Sequence, residues 1–217
     1  MARLLHIEAS PRGDRSYSTR VARRFIEHYL ATHPGDEVEH LPLFDVELPE
    51  FGRDAALAKM AQIDNLIAGG RGIPAEGPWA AVHREVNRLK AADKVLISSP
   101  MWNYSIPYRL KHYIDIVCQP GVSFYVNREG RYVGMVRNKP MQLVLASGSE
   151  YAMRFPGAED GTKTDFQRAY LEHFARFIGF SDIRCLKIQP TADASPPEVA
   201  TMLEARLVAA EAAARDF

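Results

Sequence analysis

The sequence predicts an α/β domain whose parallel sheet of five strands is covered by helices on both faces. Three observations carry this. Short apolar or alternating stretches recur at Leu4–Ile7, Glu37–Leu43, Val95–Ile97, Met141–Leu145 and Ile183–Ile188, each of strand length. Between them lie segments whose apolar residues repeat at helical spacing, among them Val21, Phe25, Ile26 and Tyr29, then Val82, Val86 and Leu89, then Leu110, Tyr113, Ile114 and Val117. The run Val95–Ile97 is apolar on consecutive positions, as in a strand covered on both sides, and alternation of strand with helix selects the parallel arrangement.

Composition fits one domain over residues 1–217, since the chain has 217 residues of which 47% are apolar. Lysine plus arginine and aspartate plus glutamate number 27 each, so no net field points to nucleic acid or an anionic membrane. No apolar run approaches the roughly 20 residues of a membrane span, and MARLLHIEASPRG turns polar too soon for a signal peptide. A cytoplasmic protein is expected. Cys118 and Cys185 have neither metal nor redox spacing and read as reduced packing residues. The seven histidines include no pair at ligand spacing on one helix, so no metal is expected.

The first strand, Leu4–Ile7, runs into EASPRGDRSYSTR and then into a helix. Ser10, Arg12, Gly13, Arg15, Ser16, Ser18 and Thr19 bring hydroxyls and N–H groups to the helix start, where unpaired amides and the helix dipole favour an anion. Taken alone, the loop also fits an N-cap beside a solvated turn. Neither G-x-x-x-x-G-K-S/T nor G-x-G-x-x-G occurs.

The second strand ends at Pro42 in the loop LPLFDVELPEF, followed by a helix over Ala55–Ala68 and the breaker cluster GGRGIPAEGP, read as a surface loop. A helix over Trp79–Ala91 feeds the strand at Val95. After Cys118, Val122–Val136 reads as a β-hairpin turning near Asn127–Gly130. Then come the strand Met141–Leu145, the segment SGSEY, a lid-like loop over Met153–Lys163, a helix over Phe166–Ile178 stopped by Gly179, the last strand and an Ala-rich helix over Pro197–Arg215.

The most informative stretch is the loop after the third strand, Ser98-Ser99-Pro100-Met101-Trp102-Asn103-Tyr104-Ser105, with Pro107 expected as a first helical residue. Loops at the carboxyl ends of central strands are where doubly wound sheets bind ligands. Met101 and Trp102 offer surfaces for a flat ring, and the Asn103 amide offers a bond to its polar edge.

PMWNYSIPYRLKHYID resembles the signature of FMN-dependent NADH:quinone and azo-dye reductases, whose usual form is P-M-Y/W-N-F followed by a short link into a helix. ASPRGDRSYS resembles the phosphate loop of that family, S-x-x-x-x-x-S-x-S, and DFQRAYLEHFARFIGF its later helix. The resemblance implies a flavodoxin-like three-layer sandwich with strand order 2-1-3-4-5, the hairpin being an insertion. It also implies noncovalent FMN, its phosphate held by Ser10, Tyr17 and Ser18 with Ser16 in support. Pro100, Met101, Trp102, Asn103 and Tyr104 would face the ring, and Ser147, Gly148 and Ser149 its carbonyl edge. NADH or NADPH would reduce the flavin, which then reduces a quinone or azo compound in a ping-pong cycle, in a homodimer. Phe124 and Tyr125 of the hairpin would line the substrate side; Tyr104 and His112 are candidate proton donors. The family usually reads S-R/G-G-G after the fourth strand, whereas this chain has Ser149 and Glu150, from which a narrower or differently charged acceptor pocket is expected.

A one-electron carrier of the flavodoxin type is the main rival, although such carriers dock through a strongly acidic face that the balanced charge does not supply. A flavin-free interaction domain on the same fold is a third reading.

Overall fold

A computed structural model describes residues 1–68, 78–150 and 164–217 of the chain. Strands β1 (Arg3–Glu8), β2 (Glu37–Pro42), β3 (Lys94–Pro100), β6 (Pro140–Ala146) and β7 (Asp182–Ile188) form one parallel sheet in the order β2-β1-β3-β6-β7. Counting sheet strands alone, this is the expected order 2-1-3-4-5. Strands β4 (Phe124–Val126) and β5 (Tyr132–Gly134) pair antiparallel as the inserted hairpin.

The strands alternate between two apolar layers, because successive side chains point to opposite faces. On one face Leu4, Leu96, Val144 and Ile188 meet Val21, Ala22, Phe25 and Tyr29 of helix α1 (Tyr17–Thr32) and Leu203, Ala210 and Ala214 of helix α6 (Pro196–Arg215). On the other, Leu5, Ile7, Val95, Ile97 and Leu143 meet a second set of helices. These are α3 (Pro78–Ala91) through Val86 and Leu89, α4 (Tyr108–Val117) through Leu110 and Tyr113, and α5 (Phe166–Ile178) through Leu171 and Phe174. Each such large side chain taken out of water contributes roughly 1.5–3 kcal/mol. Helix α2 (Arg53–Ile67) follows the β2 loop.

Local signals explain the boundaries. Ser16 caps α1 by accepting the Thr19 N–H, and α5 ends where Gly179 adopts φ 117°, a conformation only glycine takes easily. A Cβ at Gly179 would also lie 2.7 Å from the Val136 carbonyl oxygen. Two of the differences from expectation bear on the site. Strand β3 continues through Ser98, Ser99 and Pro100, and the two serine hydroxyls find partners inside the fold. Pro107 has ψ 145° and stands outside α4 as its N-cap, so Tyr108 is the first helical residue. The expected lid over Met153–Lys163, and all but the end of the GGRGIPAEGP loop, lie outside the described residues.

Cys118 and Cys185 are free and partly buried. Burial pushes both thiols up, Cys185 to about 11, which fits packing and not nucleophilic chemistry.

Candidate active site

The carboxyl ends of β1, β3 and β6 are stitched together edge to edge. Glu8 is in register with Ser98, and the Ala9 N–H donates to the Ser98 carbonyl at 2.8 Å. Pro100 is in register with Ala146, and the Met101 N–H donates to the Ala146 carbonyl at 2.7 Å. The loops that leave these three strands therefore start side by side.

The first loop turns through a 3-10 segment, Gly13–Arg15, with Gly13 at φ 51°, and enters α1 at Ser16. Ser10, Ser16 and Ser18 are all buried, and the Ser16 and Ser18 hydroxyl oxygens lie 3.1 Å apart. Ser16 Oγ accepts the Thr19 N–H at 3.3 Å, which leaves the N–H groups of Tyr17 and Ser18 without intrahelical partners by helix geometry. The Tyr17 side chain packs toward α6 and lines a cleft of about 320 Å³ with Arg20, Thr191 and Leu203. A contribution of Tyr17 to an anion in this loop would therefore come from its main chain.

The second loop makes a tight reversal. Trp102 and Ser105 exchange backbone hydrogen bonds of 2.9 Å each way, while Asn103 and Tyr104 between them have φ 47° and 69°. Positive φ at both central positions defines a type I′ turn, a common choice in hairpins. Asn tolerates that region; Tyr rarely does. Trp102 and Tyr104 remain 37% and 41% exposed, so the turn presents aromatic surface outward. The Trp102 ring is braced by Phe44, centroids 5.7 Å apart, and Phe44 meets Tyr108 edge-on at 5.8 Å.

The third loop is held to the segment after β7. Ser147 is buried, its hydroxyl 3.1 Å from the Ser149 carbonyl and 3.0 Å from the Gln189 side-chain oxygen. The Gly148 carbonyl accepts from the N–H groups of Thr191 and Ala192 at 3.0 and 2.9 Å. A Cβ on Gly148 would lie 3.3 Å from that of Ala192, so the missing side chain serves this packing. Glu150 follows at the rim, partly exposed.

Other expected residues lie elsewhere. His112 Nε2 is 2.9 Å from the Pro49 carbonyl, and the neighbouring Arg109 donates to the carbonyls of Leu43 and Val46, so α4 pins the loop that carries Phe44. His112 is thus engaged as a fastener of that loop. Phe124 packs on Phe177 with centroids 4.6 Å apart, and with Tyr125, Ile63 and Tyr132 it lines a cavity of about 720 Å³. The apolar walls of that cavity offer little to a phosphate. The polar cradle at the sheet's carboxyl edge is the better candidate for anion recognition.

Three contributors escaped the sequence reading. Phe44 sits in the β2 loop, at the same end of the sheet as the other loops, which was the available signal. Gln167 of α5 is buried and donates to the Ser99 carbonyl at 3.2 Å, steadying the end of β3. Beneath the first loop, Glu8 accepts from Thr19 Oγ1 at 3.0 Å and lies 2.9 Å from His40 Nε2, beside a buried His6. Burial, aided by the charges of His40 and Arg23, pushes His6 down to about 3, so its imidazole is neutral.

The serine-lined loop and the aromatic turn leave neighbouring strands where the strand order reverses, the position at which open α/β sheets hold nucleotides. The family described as flavodoxin-like fold matches residues 2–212. An FMN-dependent NADH:quinone oxidoreductase of Nitratidesulfovibrio vulgaris (strain DP4) is 43% identical over 200 residues, 90% of each chain. The chain belongs to this flavodoxin-like oxidoreductase family. Among solved structures, an azoreductase from Bacillus anthracis str. Sterne superposes with a TM-score of 0.84 at 26% identity, covering 100% of both chains. An FMN-dependent NADH-azoreductase from Bacillus anthracis str. Ames Ancestor, in complex with FMN, gives a TM-score of 0.78 at 25% identity over 99% of this chain and 98% of its own.

Proposed function

We propose that this protein is an FMN-dependent NADH:quinone oxidoreductase with azoreductase activity, a single domain over residues 1–217 acting as a cytoplasmic homodimer. The observation that carries the reading is the junction of β1 and β3, where the Ala9–Ser98 hydrogen bond sets the serine cradle beside the aromatic turn. Family membership supports it, since the relatives that match nearly the whole chain are named for this activity.

The residues present fit FMN. Buried hydroxyls at Ser10, Ser16 and Ser18 and the first-turn amides of the 16-residue helix α1 suit a phosphate monoester, stabilised by charge-assisted bonds and the helix dipole. The Met101 and Asn103 backbone and the Trp102 and Tyr104 rings suit a flat heterocycle with polar edges. When bound, FMN supplies two-electron transfer between a nicotinamide and a quinone or azo acceptor. The chain's own part is to bind and orient. Ser16 keeps the helix end open to the phosphate, and Phe44 with Tyr108 holds Trp102 in place. Tyr104 stands at the exposed tip of the turn, where its hydroxyl can reach a ligand and donate a proton to it. Glu150 places a carboxylate at the rim of the acceptor side. NADH, or NADPH in its place, and the acceptor would occupy one open space in turn.

The reading is tested by purifying the protein and recording its visible spectrum. Flavin bands, with one FMN released per chain on denaturation, are expected. A colourless protein that takes up no added FMN would leave an interaction domain as the better reading.

A further inference from the structure

We propose that His6, Glu8 and His40 form a binding site for one divalent first-row transition-metal ion, of which Zn²⁺ is the best chemical match. The three residues come together because of the strand register. His6 and Glu8 are two apart on β1 and so share the face toward α1, while His40 on β2 lies directly opposite His6. One ligand atom from each falls within 4.8 Å of the others. A tetrahedral site with bonds near 2.1 Å needs separations of about 3.4 Å, so a modest side-chain rotation closes it. The two imidazoles are stacked, centroids 5.1 Å apart, and the exposed His40 has room to turn.

The surroundings suit a metal. Two nitrogens and one carboxylate are a borderline donor set that zinc takes readily, with water completing the shell. Each inner ligand is already oriented by a neighbour: the His6 ring by Ser98 Oγ at 2.9 Å, and Glu8 by Thr19 Oγ1 at 3.0 Å. Such supporting hydrogen bonds fix ligand geometry in natural sites. His6 and Glu8 are 2% and 6% exposed, whereas half of the His40 side chain is in solvent, which gives the ion a way in and room for water. Among the described residues, the buried carboxylate of Glu8 has His40 as its ion-pair partner. That partner is an imidazole, which carries charge only when protonated, and a bound dication would add compensating charge beside the carboxylate. The site lies under the phosphate loop and shares no residue with the groups assigned to the flavin.

The test is isothermal titration of the untagged protein, as purified, with Zn²⁺, backed by thermal melting. One equivalent is expected to bind and to raise the melting temperature. His40→Ala, at an exposed position, should fold normally, lose at least about tenfold in affinity and melt at a temperature independent of Zn²⁺. His173→Ala, an exposed histidine elsewhere, should behave as the unaltered protein. Glu8→Gln, which retains size and a partner for Thr19, should also weaken binding. Absence of a stoichiometric equivalent, or unchanged affinity in His40→Ala, would overturn the assignment.

Discussion

Trp102 and Ser105 close a turn on each other through two 2.9 Å hydrogen bonds, with Asn103 and Tyr104 both at positive φ between them. Tyr104 occupies the position where type I′ turns most often carry glycine. Holding a bulky side chain there costs on the order of 1 kcal/mol, and such strain persists where surrounding structure or function requires it. Tyr104→Gly should therefore raise the unfolding free energy by about 1 kcal/mol in a denaturant titration while weakening flavin retention. A variant that is destabilised, with flavin binding intact, would show that Tyr104 serves packing alone.

The serine cradle gives a sharper contrast. Ser18 is fully buried beside Ser16, whereas Ser149 meets Ser147 only through its carbonyl. Ser18→Asp sets a negative charge against the phosphate and removes a bond of the charge-assisted kind, worth roughly 1.5–3 kcal/mol. FMN affinity should fall by about tenfold or more, while Ser149→Ala should change it by less than about threefold. Fluorescence titration of the apoprotein with FMN separates the two; matching curves would contradict the placement of the phosphate.

Glu150 is proposed to bear on acceptor choice. Standing where the resemblance implies glycine, and partly exposed after the Ser147–Ser149 turn, it should disfavour sulfonated azo dyes relative to neutral benzoquinones by roughly 1 kcal/mol of repulsion. Glu150→Gly should raise kcat/KM for sulfonated dyes several-fold and leave benzoquinone nearly unchanged. Equal responses would mean that the carboxylate points away from the acceptor.

The sheet and its helices were legible because each signal is local: helix α5 runs over Phe166–Ile178 as its periodicity and Gly179 require, and Asn127–Gly130 turns the hairpin. The end of β3 was not. Ser98 and Ser99 look like loop in one dimension, yet the first pairs with His6 and the second with the Pro100 carbonyl, so both hydroxyls are satisfied inside a strand. The cradle and the turn could be named from residue types, but their adjacency depends on strand order, and Phe44 reaches Trp102 only through the folded β2 loop. The meeting of His6 with His40 depends on the register of two strands separated by a helix, information that spacing along the chain does not contain.

One flavin site is proposed to serve donor and acceptor in turn, because the described loops build one cradle and the sequence contains neither common nucleotide fingerprint for a separate nicotinamide site. The most direct measurement is the steady-state rate with NADH and a benzoquinone varied together, preceded by anaerobic addition of NADH alone. Full bleaching of the flavin before any acceptor is present, followed by parallel double-reciprocal lines, is the predicted result. Slow or partial bleaching by NADH would point to an electron carrier instead, and intersecting lines would contradict the shared site by showing that donor and acceptor bind together.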